Sequence, residues 1–153
     1  MSSRVVQMSG VLHEHGNNAK ALVYKEKSDA CFLASKTLEK VLMPSVKNIR
    51  LYLLLFSIEL RLKGMLLVDG VSIKDLKDKK KFGHNLVELY NNCLDKKLIE
   101  SDESVKSLFQ KYNEDYGNEL RYYVGLEDVF GLSICNESFA VLETFYLKNS
   151  PRN

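Results

Sequence analysis

Five polar side chains sit on otherwise apolar stretches of this chain: Glu59, Lys63, His84, Arg121 and Tyr122. Glu59 and Lys63 are one helical turn apart, in the order that favours an intrahelical ion pair. Both lie inside the apolar arc of the most hydrophobic stretch, where plain core packing would want leucines. His84 follows Gly83 directly, and Arg121 stands beside Tyr122. Two arrangements fit these residue types. In the first, Glu59 and Lys63 form a partly buried pair, and His84 or Arg121 supplies hydrogen bonds that fix the register of the helices. In the second, Lys63, His84 and Arg121 converge beside free N–H groups at a helix start. That would make an anion pocket for an RNA phosphate or a nucleotide, with Glu59 orienting His84 or Arg121. An imidazole is the side chain best suited to acid–base work near neutral pH, which is the catalytic role open to His84.

Other chemistries lose their usual signals. The sequence has no Gly-rich phosphate loop, no Gly-x-Ser-x-Gly, no His-Glu-x-x-His and no calcium loop, and nothing in it calls for a cofactor. His13 and His15 cannot share a helix face and have no third ligand nearby, so no metal site is expected. Cys31, Cys93 and Cys135 stand far apart, as reduced core thiols would in a cytoplasmic protein. A net charge of +2 is too mild for a protein that coats nucleic acid, yet it leaves room for a local anion site. Leu51 to Gly70 is interrupted by Glu59, Arg61 and Lys63 before reaching membrane-spanning length, so no membrane partner is expected.

The elements that must position the five residues are helical. The 153 residues are enough for one domain with its own core, expected over 19–148 with a loose leader at 1–18 and a tail at 149–153. A first helix is expected over Ala19 to Leu42, burying Ala30, Cys31, Ala34, Leu38, Val41 and Leu42 while Lys27, Ser28, Lys36 and Glu39 face outward. Pro44 ends it, and Ser45 caps a central helix, Val46 to Val68, that turns back antiparallel and stops at Gly70. On that helix Arg50, Ser57, Arg61 and Gly64 fall on one narrow strip.

Asp69 to Gly83 reads as a basic, exposed loop. A third helix opens on the capping-box spacing of Asn85 and Glu88 and buries Leu86, Leu89, Tyr90, Cys93 and Leu94, ending near Ile99. A fourth opens at Ser101–Asp102, with Val105, Leu108, Phe109, Tyr112 and Tyr116 in one stripe up to Gly117. Gly125 and Gly131 surround a loop suited to cover a cleft. Asn136 caps a last helix that buries Phe139, Leu142, Phe145 and Tyr146. No strand alternation competes, and the expected fold is an all-α up-and-down bundle of four or five helices.

The order Ile58-Glu59-Leu60-Arg61-Leu62-Lys63-Gly64, then Phe82-Gly83-His84-Asn85-Leu86, then Leu120-Arg121-Tyr122 resembles the HEPN superfamily, in particular its bacterial single-domain members. The resemblance covers roughly Ala19 to Leu147. It implies a helical bundle, commonly a homodimer, from a group associated with toxin–antitoxin, antiphage defence and RNA-processing systems. Many members are metal-independent ribonucleases that use an Arg and a His separated by four to six residues. Here none of Arg4, Arg50, Arg61, Arg121 and Arg152 precedes a histidine at that spacing. The expectation is therefore a non-catalytic, dimerising or RNA- or nucleotide-binding module, with Glu59, Lys63, His84, Arg121 and Tyr122 as the ligand-binding set. The alternatives are a ribonuclease with a rearranged His84 and Arg121 site, and a pure interaction subunit whose protein partner covers the face of Phe139, Leu142 and Tyr146.

Overall fold

The computed structural model describes residues 2–117 and 135–150, with side chains from Gly16 onward apart from Pro44 and Asp115. Arg121, Tyr122 and the Gly125–Gly131 loop lie outside the described residues. Among those described, the protein is a helical bundle without strands: α1 Ser2–Thr37, a 3-10 turn Leu38–Lys40, α2 Pro44–Val68, α3 Ile73–Lys77, α4 Leu86–Asp95, α5 Glu103–Gly117 and α6 Asn136–Lys148. None of these helices is long and apolar enough to cross a membrane.

α2 is the axis, packing against α1, α4 and α6, while α5 closes the far side against α4 and α6. Its Leu51, Leu54, Leu55, Leu62, Leu66 and Leu67 are fully buried. They meet Leu86, Leu89 and Tyr90 of α4, Val105, Phe109, Tyr112 and Tyr116 of α5, and Phe139, Leu142, Phe145 and Tyr146 of α6 in a single core. Tyr90, Phe109 and Phe145 pack at its centre, with an edge-on Phe109–Phe145 contact at 5.8 Å between ring centroids. The stripes expected for α4, α5 and α6 are the ones buried, with Leu94 and Leu108 at their edges.

Several helix ends differ from expectation. α1 begins at Ser2 and not at Ala19. The stretch before Ala19 lacks proline, and a helix nucleated by the packed part of α1 extends through glycines at only a propagation cost. α2 starts on Pro44 at its first turn, with Met43 as N-cap and no side-chain cap, so Ser45 does not cap it. The segment after Gly70 is not all loop: Ser72 accepts from the Asp75 N–H and caps the short α3, which buries Leu76. α4 ends at Asp95, where Lys97 takes a φ of 57° in the left-handed region and the Leu98 N–H bonds the Cys93 carbonyl at 2.9 Å. α6 has Cys135, and not Asn136, at its N-cap. The Asn85 cap is as expected, its Oδ1 accepting from the Glu88 N–H at 3.1 Å. Gly70 also ends α2 as expected: its φ is 97°, and Val71 N–H reaches the Leu66 carbonyl at 2.9 Å.

α1 departs in part from the expected burial of its faces: Lys27 and Glu39 are exposed as expected and Cys31, Ala34 and Leu38 are half-buried. Ala30 is exposed, Leu42 beyond the helix is 95 % exposed, and Ser28 and Ser35 are fully buried. The contact stripe consists of small residues at seven-residue steps, opposite the strip noted on α2. Ser28 Oγ donates to the Ser57 carbonyl at 2.7 Å, Ser35 Oγ to the Arg50 carbonyl at 3.0 Å, and the Ala21 carbonyl faces Gly64. The two positions in each pair add to 85, the mark of a regular antiparallel register. Serine hydroxyls on carbonyls let two backbones approach closely, so polarity on this face signals contact and not exposure.

Gly64 does not owe its identity to that close approach. A Cβ there would sit 3.6 Å from Tyr24 Cβ and 3.8 Å from the Ala21 carbonyl oxygen, ordinary van der Waals contact. Alanine is the better helix former, so Gly64→Ala is expected to raise stability by about 0.5–1 kcal/mol, read as a higher urea midpoint at unchanged slope.

Candidate functional site

The centre of the site is the Glu59 carboxylate, 1 % exposed on the middle of α2. Its Oε1 accepts from Lys63 Nζ at 2.7 Å and lies 3.0 Å from His84 Nδ1, while its Oε2 accepts from the Tyr116 hydroxyl. Burial by itself would push this carboxyl up. The hydrogen bond from His84, the charge and hydrogen bond of Lys63, and the Tyr116 hydroxyl together outweigh it and hold Glu59 below the usual carboxylate range. An ionised Glu59 offers only acceptors, so Nδ1 of His84 carries the hydrogen of that contact. The pair fixes the imidazole as a carboxylate does in a hydrolase triad.

Lys63 is not arranged to bind an anion. Its ammonium is buried and divided between Glu59 and the Gly83 carbonyl, at 2.5 Å. Gly83, with a φ of 48° and Lys79 Cα 3.1 Å from where a Cβ would stand, lets the backbone turn that carbonyl toward α2. The start of α4 is also occupied. The Leu86 N–H donates to Asn113 Oδ1 of α5 at 2.8 Å, and the Glu88 N–H to Asn85. The expected convergence of Lys63 with free N–H groups is therefore corrected: Lys63 ties the α3–α4 turn to α2, and the Leu86 N–H ties it to α5. Of the expected set, Glu59, Lys63 and His84 come together; Arg121 and Tyr122 lie outside the described residues.

What opens to solvent is the next layer. A cleft of about 430 Å³ runs between α1, α2 and α3, with Tyr24, Phe56 and Ile73 among its walls and His84 on one side. Lys20, Lys27 and Lys77 line it and are exposed. With Lys63 the lining carries four lysines against the single carboxylate of Glu59. Tyr24 has its phenol pushed up by burial and by the charge of Glu59, so it stays a hydroxyl donor. The sequence carried a signal for these residues: lysines at 20 and 27 bracket Tyr24 on one face of α1, seven residues apart. Their relation to Lys77 exists only in the folded chain.

Two further polar knots lie along the α1–α2 seam. Arg61, 5 % exposed, donates from Nη2 to Asp29 at 2.6 Å and to the Tyr146 hydroxyl at 2.6 Å, with its guanidinium 4.7 Å from the Tyr146 ring centre. Burial would raise the Asp29 carboxyl, and hydrogen bonds from Tyr146 and Lys25 with the charge of Arg61 bring it below its ordinary value. Arg50 meets Glu143 at 2.8 Å and Glu39 at 3.3 Å, and lies 4.0 Å over the Phe139 ring. The first knot joins α1, α2 and α6 and the second joins the 3-10 turn, α2 and α6, and neither arginine had been assigned a role from the sequence.

The thiols are free; Cys93 is buried and pushed up to about 12 by burial, whereas Cys135 is exposed and so is not the core thiol expected. Among the described residues no group of His, Cys, Asp and Glu is placed to hold a metal ion. Comparison with protein-family models, curated proteins and solved structures finds no match for this chain.

Proposed function

We propose that this chain is a HEPN-like, dimerising module that binds RNA or a nucleotide and does not cleave it, acting in a bacterial defence, toxin–antitoxin or RNA-processing setting. The observation that carries the reading is the lysine-rimmed cleft, with Lys20, Lys27 and Lys77 around the aromatic walls of Tyr24 and Phe56. Lysines supply the salt-dependent attraction for phosphates, and aromatic rings supply stacking surface for bases. Its volume of about 430 Å³ falls in the range of small-ligand sites. Glu59 and Lys63 belong to the cleft lining and hold His84 and the turn at Gly83.

Fluorescence anisotropy with a labelled single-stranded RNA, and with mononucleotides as competitors, tests the reading. The triple variant Lys20→Glu, Lys27→Glu, Lys77→Glu touches no core residue. It is expected to bind at least tenfold more weakly, with the slope of log affinity on log salt flattened by about 2. Unchanged affinity in the triple variant would remove the cleft from the function, and sedimentation of the wild-type protein tests the homodimer.

A second reading has one observation in its favour, the Glu59–His84 pair, which turns Nε2 away from the carboxylate. In that reading the protein is a metal-independent ribonuclease in which His84 takes the proton of an RNA 2′-hydroxyl, with Arg121 as its partner. Cleavage of RNA in chelator by wild type but not by folded His84→Ala would establish it and overturn the non-catalytic reading.

A further inference from the structure

We propose that the turn between α1 and α2 docks on an anionic lipid surface, its apolar tip entering the headgroup layer and its lysines meeting the lipid charge. The link from the 3-10 turn to α2 is Val41-Leu42-Met43. Leu42 is 95 % exposed, Met43 60 % and Val41 42 %. Connections of this kind are normally made of Gly, Pro, Asn, Asp and Ser. Val41 and Met43 have ordinary extended backbone that polar residues adopt equally well, so the turn itself does not call for apolar side chains.

The tip is held in shape by its own backbone. The Val41 N–H bonds the Leu38 carbonyl at 3.1 Å, and the Val46 and Lys47 N–H groups reach the Met43 carbonyl at 3.0 Å and 3.3 Å. These bonds fix both ends of the triplet and leave Leu42 outermost. They also place Lys40 directly before the triplet and Lys47 one turn beyond it.

Charge selects the partner. Lys36 and Arg50 each meet both Glu39 and Glu143, so two cations offset two carboxylates. Lys40 and Lys47 form no ion pair among the described residues. The uncommitted charges flanking the tip are therefore both positive. Lipid headgroups of negative charge complement them, and lysine stems lie along apolar surface while the ammonium stays at headgroup level.

The size of the patch favours lipid over protein. Three side chains at the end of a hairpin fall well short of the about 800 Å² that each partner contributes to a standard protein interface. The interfacial layer of a bilayer takes up single apolar side chains and needs no shape complementarity. Docking of this kind is peripheral: none of the described helices is long and apolar enough to cross a membrane, and the tip needs none.

Flotation with vesicles of phosphatidylcholine, alone and mixed with phosphatidylserine, tests the proposal. The protein should bind the mixed vesicles at least tenfold more tightly than the neutral ones, an advantage that high salt removes. Leu42→Asp, and the double variant Lys40→Glu, Lys47→Glu, should each weaken binding to the mixed vesicles at least tenfold with the urea midpoint unchanged. The lysine triple variant of the basic cleft should bind them as the wild type does, which separates the tip from the cleft. No flotation, equal binding of neutral vesicles, full binding by either tip variant, or loss of binding in the triple variant would each overturn the assignment. So would a wild-type dimer that Leu42→Asp converts to monomer in sedimentation, which would give the tip to a second copy of the chain.

Discussion

Glu59→Ala is expected to destabilise the protein by about 3–5 kcal/mol, the cost of leaving a buried charge without its partner. Lys63 would keep only the Gly83 carbonyl, and His84 and Tyr116 would lose the oxygens they now share. Against a total stability of about 5–15 kcal/mol that loss is large, and urea denaturation read by circular dichroism measures it. Replacing both partners, as in Glu59→Leu with Lys63→Met, should cost far less than the single change, because the buried ammonium of Lys63 is then removed with its partner.

The pH dependence follows from the direction of the Glu59 shift. Its folded carboxyl lies below the ordinary value of 4.5, so the unfolded chain takes up the proton first as pH falls. The stabilisation is therefore complete above that ordinary value and is lost as pH falls through the lower, folded one. The stability gap between wild type and Glu59→Gln should be flat from pH 7 to about 5 and shrink below about 4. A gap that widened below about pH 4 would contradict an ionised Glu59.

Asp29→Ala is expected to cost about 2–3 kcal/mol, and more than Arg61→Met, although both remove the same ion pair. The asymmetry comes from burial: the Arg61 side chain is 5 % exposed and that of Asp29 is 45 % exposed. Without Arg61, Asp29 is rehydrated and keeps Lys25 and the Tyr146 hydroxyl. Without Asp29, a buried guanidinium that already has two unpaired nitrogens loses its only counter-ion among the described residues. Urea denaturation of the two variants at low and high salt checks the order. The reverse order would mean that packing of the arginine stem on the Tyr146 ring outweighs the charge.

The sequence by itself determined the helices whose buried faces are apolar. In α4, α5 and α6, leucines and aromatics recur at three- and four-residue steps, and burial of large apolar side chains dominates the energy of such faces. Asn85, Gly70 and the i,i+4 pairing of Glu59 with Lys63 were legible for a similar reason: each bond closes within a few residues. The contact face of α1 was not legible, because it is made of the small residues Ala21, Ser28 and Ser35, and Ser28 reads as solvent-facing until the Ser57 carbonyl is placed opposite it.

Only the tertiary structure decided what the charged groups do. Lys63 and the start of α4 looked suited to an anion, yet Gly83 and Asn113, far along the chain from the groups they bind, take those donors. Lys20, Lys27 and Lys77 become one rim, and Asp29, Arg61 and Tyr146 one network, through contacts between separate helices. Periodicity encodes which face of a helix is buried; it carries no information on which polar side chain meets which across the bundle, since that depends on the register in which the helices dock.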